Sequence, residues 1–488
     1  MSYKNILLIS PFYKKSYFYG GKSATPPIGL GCLAEMLSEQ GVPVTVVDMG
    51  LDHPLEHVLN TIKEKGIDLI GVSLISYSYR AIYAMIDQIK KAFPGIPIIV
   101  GGPHMLSFKK KVLEDCSSID LGAVGQGEEI LSDLVKGVGS YDIKGLIYRK
   151  DGKIIENPPR EPLTDLNVLP FPKYRAFEID QYSRLIPMMS SRGCPSQCIY
   201  CQKTTGERVY YRSADSVASE IRYWYDRGYR QFSFNDENFT LNGKRTHDIC
   251  EKIIAGGMNN AEFSAQGVRA DCVNEAILKH MREAGFVNLS FGVEAGNDRM
   301  LKVLKKGVRL EVIDRAVKMA LEMSFRVQLY FLVGSPYETL EDVRDSFKFA
   351  LKHPVYKVIF SSLIPYPGTE LYRWVEANGR FYRSPEDYLD AICPCENTPF
   401  FEGPGMTYAE KVRALRERHG VTRKIFVNGM KRRIEEKYNV SANLASALAW
   451  FLSVKFIYNL VMFSSENKLG SFVRGKLKKA RAGRAANV

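Results

Sequence analysis

Three cysteines stand close together in Ser191-Arg192-Gly193-Cys194-Pro195-Ser196-Gln197-Cys198-Ile199-Tyr200-Cys201, spaced four and three residues apart. Thiolates are soft ligands suited to iron–sulfur clusters, and a cluster held by three cysteines leaves one iron open to an outside ligand. Gly193 and Pro195 keep the loop out of regular helix, so the sulfurs can converge from different directions. The alternative is three ordinary buried cysteines. It is the weaker reading, because the chain has only nine cysteines in 488 residues and a third of them fall here. An odd cysteine count and a start, Met1-Ser2-Tyr3-Lys4, without a secretory signal point to a reducing cytosol, where clustered cysteines bind metal or react more often than they pair.

The elements that position this loop read as α/β throughout. Residues 5–10, 44–48, 68–73 and 97–102 are short apolar runs bounded by glycine or proline, separated by helical patterns such as 79–93. Strands alternating with helices imply a parallel sheet covered on both faces, a doubly wound (Rossmann-like) unit over residues 1–145. Such a sheet binds its ligand at the carboxyl ends of its strands. Small or turn-forming residues fall there: Ser10-Pro11, Ser73, Gly101-Gly102-Pro103-His104 and Gly125-Gln126-Gly127-Glu128. Prolines 158, 159, 162, 170 and 172 mark residues 146–185 as a linker packed on both neighbours. Over 186–380 the strand-then-helix rhythm returns. Strands at 185–189, 231–235, 262–267, 287–291, 326–332 and 358–363 predict a parallel barrel, complete or partial, with its site on the strand C-terminal face.

Residues 381–488 lose that rhythm. Two basic helices are expected at 408–418 and 423–437. Cys393-Pro394-Cys395 has no nearby partners and reads as incidental thiols rather than a second metal pair. The apolar stretch 444–463 is about as long as a membrane span, but Lys455 and Asn459 interrupt it, and a mid-bilayer lysine costs roughly 2.5–3.5 kcal/mol. An interfacial anchor or a packed helix fits better than a span. Nearly half of the net charge of +13 sits in residues 466–488, which carry seven Lys or Arg against one acid. That placement argues against nucleic acid as a partner and suits contact with an anionic membrane face.

The motifs carry a resemblance. Pro26-Pro27-Ile28-Gly29-Leu30, a strand ending in Asp48, Ile70-Gly71-Val72-Ser73, Gly101-Gly102-Pro103-His104 and Gly125-Gln126-Gly127-Glu128 follow the order seen in the cobalamin-binding domain of many radical S-adenosylmethionine enzymes. The Cys-x-x-x-Cys-x-x-Cys loop with Tyr200 before its last cysteine resembles the defining loop of that superfamily. Phe291-Gly292-Val293-Glu294, Gly334 to Thr339 and Pro365 to Thr369 are similar to later landmarks of its cobalamin-dependent branch. One departure stands out: no Asp-x-His-x-x-Gly motif is present, and Asp52-His53 lacks its spacing, so no histidine of that motif would ligate cobalt.

The resemblance implies a four-iron four-sulfur cluster on Cys194, Cys198 and Cys201. S-adenosylmethionine would chelate the open iron and be cleaved reductively to a 5′-deoxyadenosyl radical. It implies cobalamin at Ser73, Gly101, Gly102, His104, Gly125, Gly127 and Glu128, with His104 either near the corrin or a turn histidine bonded to backbone. Asp236 or Glu237 would meet the methionyl amine, Arg269 and Glu294 the carboxylate and ribose, and Gly334 and Pro336 the adenine. Competing readings are a helix cap for Asp236, a surface ion pair for Arg269 and a plain turn for Gly334 to Pro336. The implied reaction is methyl transfer to an unactivated carbon of a small, apolar or lipid-like substrate, with electrons from a flavodoxin or ferredoxin, in the cytoplasm or at the inner face of the membrane. Radical oxidative cyclisation within the same family, and a non-catalytic iron–sulfur or cobalamin sensor, are the alternatives.

Overall fold

A computed structural model describes residues 3–11, 25–137, 141–203, 206–391, 398–438 and 441–453. The apolar runs of the first unit form strands β1 (Ile6–Ser10), β2 (Val44–Asp48), β3 (Leu69–Ser73), β4 (Ile98–Gly101) and β5 (Leu121–Ala123), all parallel, in the order β2-β1-β3-β4-β5. Every residue of β1 is buried, as a strand covered by helices on both faces requires. The order reverses between β1 and β3, so the crevice of this sheet opens at Ser10 and Ser73. Two further strands, β6 (Leu146–Lys150) and β7 (Lys153–Glu156), add antiparallel to β5. The first sheet therefore runs to residue 156, eleven residues into the stretch 146–185 that the sequence marks as a linker. Pairing with β5, a contact invisible locally, decides this.

From Asn157 to Arg184 the chain is a strap with two short 3-10 turns. On one side Lys173 pairs with buried Glu35 at 3.0 Å, and the Val46 amide donates to the Ala176 carbonyl. On the other, the Phe171 ring meets Tyr223 and Tyr174 meets Trp224.

The second sheet has six parallel strands, β8 (Leu185–Met188), β9 (Gln231–Phe234), β10 (Glu262–Val268), β11 (Phe286–Glu294), β12 (Arg326–Val333) and β13 (Lys357–Ser362), laid in chain order. β8 and β13 are edges, so the barrel is partial. Capping residues end the βα loops: Ser213, Asn242, Asn274, Asn297, Thr339 and Thr369 each accept an amide of the following helix. Phe232, Phe234, Phe239, Phe263 and Phe286 pack ring against ring inside the sheet. Burying each contributes about 1.5–3 kcal/mol.

Beyond the barrel, one helix spans Tyr408–Tyr438 where the sequence suggests two. It lies along β13: Arg418 donates to the Phe360 carbonyl and Arg432 to that of Pro354. Gly429 does not break it, because a Cβ there would stand 2.5 Å from the Tyr356 carbonyl; the glycine is what lets the helix come so close. Among the described residues no helix is long and apolar enough to cross a membrane. Cys393, Cys395 and residues 454–463, the second half of the apolar stretch, lie outside the described residues.

Candidate active site

The cysteine loop follows β8. Its base is a short antiparallel pairing of Ser191–Arg192 with Tyr210–Tyr211. Gly193 turns the chain with φ +99°, and a Cβ there would lie 1.9 Å from the Arg208 carbonyl, so only glycine fits. The Ile199 amide donates to Leu304, the Leu371 amide to Ile199, and Arg269 Nη1 to Ser196 Oγ at 2.8 Å. All three thiols are free, and burial together with the neighbouring Cys198 and Cys194 raises that of Cys201.

The donor set fits a cluster better than a single ion. Among the described residues, two groups bring three ligand atoms within 4.8 Å of one another, and the cysteine trio is not one of them. A lone tetrahedral ion with bonds of about 2.3 Å to sulfur would need thiolates roughly 3.8 Å apart. A cluster instead holds each thiolate on its own iron.

The strand ends around the loop carry the residues singled out in the sequence, in different roles. Asp236 is fully engaged: Oδ1 accepts from the Ser190 and Ser191 amides at 2.6 and 2.7 Å, and Oδ2 from Ser190 Oγ at 2.6 Å. It is thus neither a helix cap nor an open carboxylate. Burial pushes its carboxyl up against the pull of Ser190 and Arg245. It shapes the backbone that launches the cysteine loop, and Glu237 beside it is the exposed acid. Arg269 pairs with Asp271 at 2.8 Å while holding Ser196, which joins β10 to the loop.

Glu294 ends β11 at a register shift, in a left-handed conformation with φ +70°. That conformation is costly for glutamate, about 1–3 kcal/mol, and is held here by an ion pair with buried Lys306 at 3.0 Å. Tyr200 faces the same carboxylate. Burial first, then Glu294 and Cys198, raise its hydroxyl well above the ordinary value, so it stays protonated and donates. Lys306 was not legible in the sequence, since nothing in its loop marks it.

Gly334 has φ +98°, and the Glu338 carboxylate accepts from the Gly334 and Ser335 amides at 2.6 and 3.0 Å. Pro336 is buried in the same turn. Burial lifts Glu338 to about 7, against these amides and Lys411. It lowers Lys411 to about 8, against Glu338. Lys411 comes from the helix beyond the barrel.

At the first sheet, Gly101, Gly102 and Gly125 sit at the strand ends. Gly102 has φ +112° and abuts the Leu74 carbonyl, whereas the Cβ position of Gly125 faces open space. Small residues and an open edge suit a large planar ligand. Gly127 starts the helix Gly127–Lys136. His104 does not reach out: it is 2 % exposed, with Nδ1 3.1 Å from Ser76 Oγ and Nε2 3.2 Å from the Tyr83 hydroxyl. It is a packed histidine in the first turn of the helix Pro103–Phe108, its ring bonded to side chains and not to backbone.

Burial depresses His104 to about 3 from its ordinary 6.5. The unfolded chain therefore binds a proton that the folded chain refuses. Stability from this group is complete above about pH 6.5 and falls by about 1.4 kcal/mol per pH unit below it. Melting curves at about pH 7.5 and pH 5 should show a smaller acid-induced loss for His104→Asn than for wild type; equal losses would refute the assignment.

Glu128 is likewise not open to a ligand. Its buried carboxylate pairs at 2.5 Å with the partly buried Arg192, two residues before Cys194. Gln202, just after Cys201, donates to Ser107 at 2.9 Å. The cysteine loop is thus clasped on both sides by the two helices that follow β4 and β5, Pro103–Phe108 and Gly127–Lys136.

Comparison with known proteins agrees with this geometry. A B12 binding domain model matches residues 21–135 and a Radical SAM superfamily model residues 188–350, together more than half of the chain. An uncharacterized methyltransferase of Pyrococcus horikoshii is 29% identical over 389 residues, covering 78% of this chain and 84% of that protein. An anaerobic magnesium-protoporphyrin IX monomethyl ester cyclase of Rubrivivax gelatinosus is 26% identical, covering 74% and 69%. The fold is that of the radical S-adenosylmethionine methyltransferase TsrM of Kitasatospora setae, solved with cobalamin and a [4Fe-4S] cluster, with a TM-score of 0.67 at 19% identity over 78% of this chain and 76% of that one. The two matched domains, in this order and clasped at the cysteine loop, make the chain a member of the cobalamin-dependent radical S-adenosylmethionine enzymes.

Proposed function

We propose that this enzyme transfers a methyl group from S-adenosylmethionine, by way of cobalamin, to an unactivated carbon of a small apolar or lipid-like substrate. The observation that carries this reading is the double clasp of Arg192 to Glu128 and Gln202 to Ser107, which holds the cysteine loop at the strand ends of the first sheet, where cobalamin would lie. When bound, the four-iron cluster and S-adenosylmethionine supply a primary carbon radical, and cobalamin supplies the methyl group. The chain's residues do the positioning. Cys194, Cys198 and Cys201 hold the cluster; Glu237 meets the methionyl ammonium, a charge-assisted pairing. Arg269, its guanidinium taken up by Asp271, Ser196 and the Lys306 carbonyl, braces the loop, and Glu294, pinned by Lys306, accepts from the ribose. The turn at Gly334 and Pro336 sets the adenine. Ser73, Gly101, Gly102, Gly125 and Gly127 cradle cobalamin, which receives no histidine from His104.

The small cleft between the domains beside Arg192 and Arg212 is walled by Ile28, Leu169, Pro170, Phe171 and Met189, a mostly apolar surface that suits an apolar substrate. Leu444 and Trp450, 49 % and 63 % exposed on the helix Ala442–Ser453, suit contact with a membrane face. Sedimentation with anionic vesicles is expected to pull down the full chain and not a chain lacking residues 440–488; equal recovery of both in the supernatant rules the contact out.

The reconstituted enzyme, given cobalamin, reduced flavodoxin or ferredoxin and S-adenosylmethionine with a deuterated methyl group, is expected to form 5′-deoxyadenosine and S-adenosylhomocysteine in equal amounts. S-adenosylmethionine should also change the electron paramagnetic resonance spectrum of the reduced cluster. An unchanged spectrum argues for a sensor. 5′-Deoxyadenosine without S-adenosylhomocysteine supports oxidative cyclisation, the second reading, which the cyclase relative favours.

A further inference from the structure

The strap between the two sheets crosses the outer edge of β2, where the Val46 amide donates to Ala176 and the Tyr182 hydroxyl donates to Asp48 at 2.8 Å. β2 is an edge strand, so without the strap its outer groups would face water. Just past β2, the turn Met49–Leu51 ends at Asp52 in a left-handed conformation with φ +65°. The chain then presents His53, caps with Pro54 and begins the helix Leu55–Lys65.

His53 and His57 straddle that helix start, their rings stacked at 4.3 Å. Glu178 reaches them from the strap, with Oε2 3.3 Å from His53 Nε2. One donor atom from each of the three lies within 4.8 Å of the other two. Neutral imidazole nitrogens with a carboxylate oxygen are the donor set of zinc and its neighbours in the first transition row. Zinc with bonds of about 2.0–2.1 Å needs donors roughly 3.3 Å apart in a tetrahedron, so a modest turn of the two rings and of the Glu178 side chain closes the set, with water as fourth ligand.

We propose that His53, His57 and Glu178 bind a divalent transition-metal ion, zinc in the first instance, that staples the strap to the first domain. This ion is separate from the cluster and from cobalamin. Its effect would be mechanical. The strap also touches Tyr223 and Trp224 of the second domain, so fixing it to β2 stiffens the joint between the two sheets.

A second trio also brings its donors within 4.8 Å, His247 and Glu251 exposed on the helix Gly243–Ala255 and His280 half-buried on the helix Glu275–Glu283; it is the internal control. The test is zinc titration by calorimetry of the cluster- and cobalamin-loaded full chain carrying His247→Ala, with iron content followed to exclude attack on the cluster. One equivalent should bind and the melting temperature should rise. Adding His57→Ala should weaken binding tenfold or more and remove the thermal shift. Glu178→Gln, which changes a half-exposed side chain and leaves the helix intact, should weaken it in the same sense. Binding and thermal shift unchanged in both variants would overturn the proposal, as would an absence of binding in the His247→Ala protein.

Discussion

Replacing Cys198 by alanine is expected to empty the cluster site. Iron and sulfide should fall to background after anaerobic reconstitution, and 5′-deoxyadenosine formation should drop by a factor of about 10³ or more, a barrier increase of at least about 4 kcal/mol. The fold should survive, because backbone contacts brace the loop independently of sulfur: Ile199 to Leu304, Leu371 to Ile199, and the turn at Gly193. Circular dichroism should therefore match wild type. Cys32 and Cys250 are the controls. Burial pushes the Cys32 thiol up to about 12 and raises Cys250 as well, so neither is a thiolate near neutrality. Cys32→Ala should keep its iron. A Cys198→Ala protein with wild-type iron and full cleavage activity would show that the loop does not hold the cluster.

Glu128→Gln is expected to destabilise the junction of the two domains by about 3–5 kcal/mol, since it strands the Arg192 guanidinium in a buried place. Removing both partners, as Glu128→Gln with Arg192→Met, should recover much of that loss, because no uncompensated charge then remains. Thermal melting of the cobalamin-free protein separates this role from a cofactor contact. If Glu128 touched cobalamin instead, Glu128→Gln would melt like wild type without cofactor and bind cobalamin more weakly. Single variants within about 0.5 kcal/mol of wild type would remove the clasp from the account.

What the sequence revealed and what it hid divide along range. The cysteine trio is legible because its ligands lie within one loop, and Gly193, Gly102 and Gly334 are legible because a turn demands glycine whatever surrounds it. The six strands of the second sheet are likewise local apolar runs, and their chain-order pairing follows the simplest connection. Hidden were the roles set by partners far away in the chain. Asp236 carries no sign that it serves Ser190 and Ser191, nor Glu128 that it meets Arg192. His104 looks the same in sequence whether it faces a corrin or packs between Ser76 and Tyr83. The break expected between 418 and 423 fails because β13 supports the helix through that point, and packing overrides local propensity.

The uninterrupted order β8 to β13 also bears on how the protein is made. Each strand pairs with the one synthesised just before it, so this sheet can grow by one strand at a time as the chain leaves the ribosome. Such growth ends with an unpaired edge. The cover for β13 is the helix Tyr408–Tyr438, which begins 46 residues past Ser362. At synthesis rates of about 5–20 residues per second, that edge stays bare for several seconds and offers its open carbonyls to any other strand nearby. The helix beyond the barrel is thus the chain's guard against pairing with its neighbours, and it arrives only after every strand of that sheet.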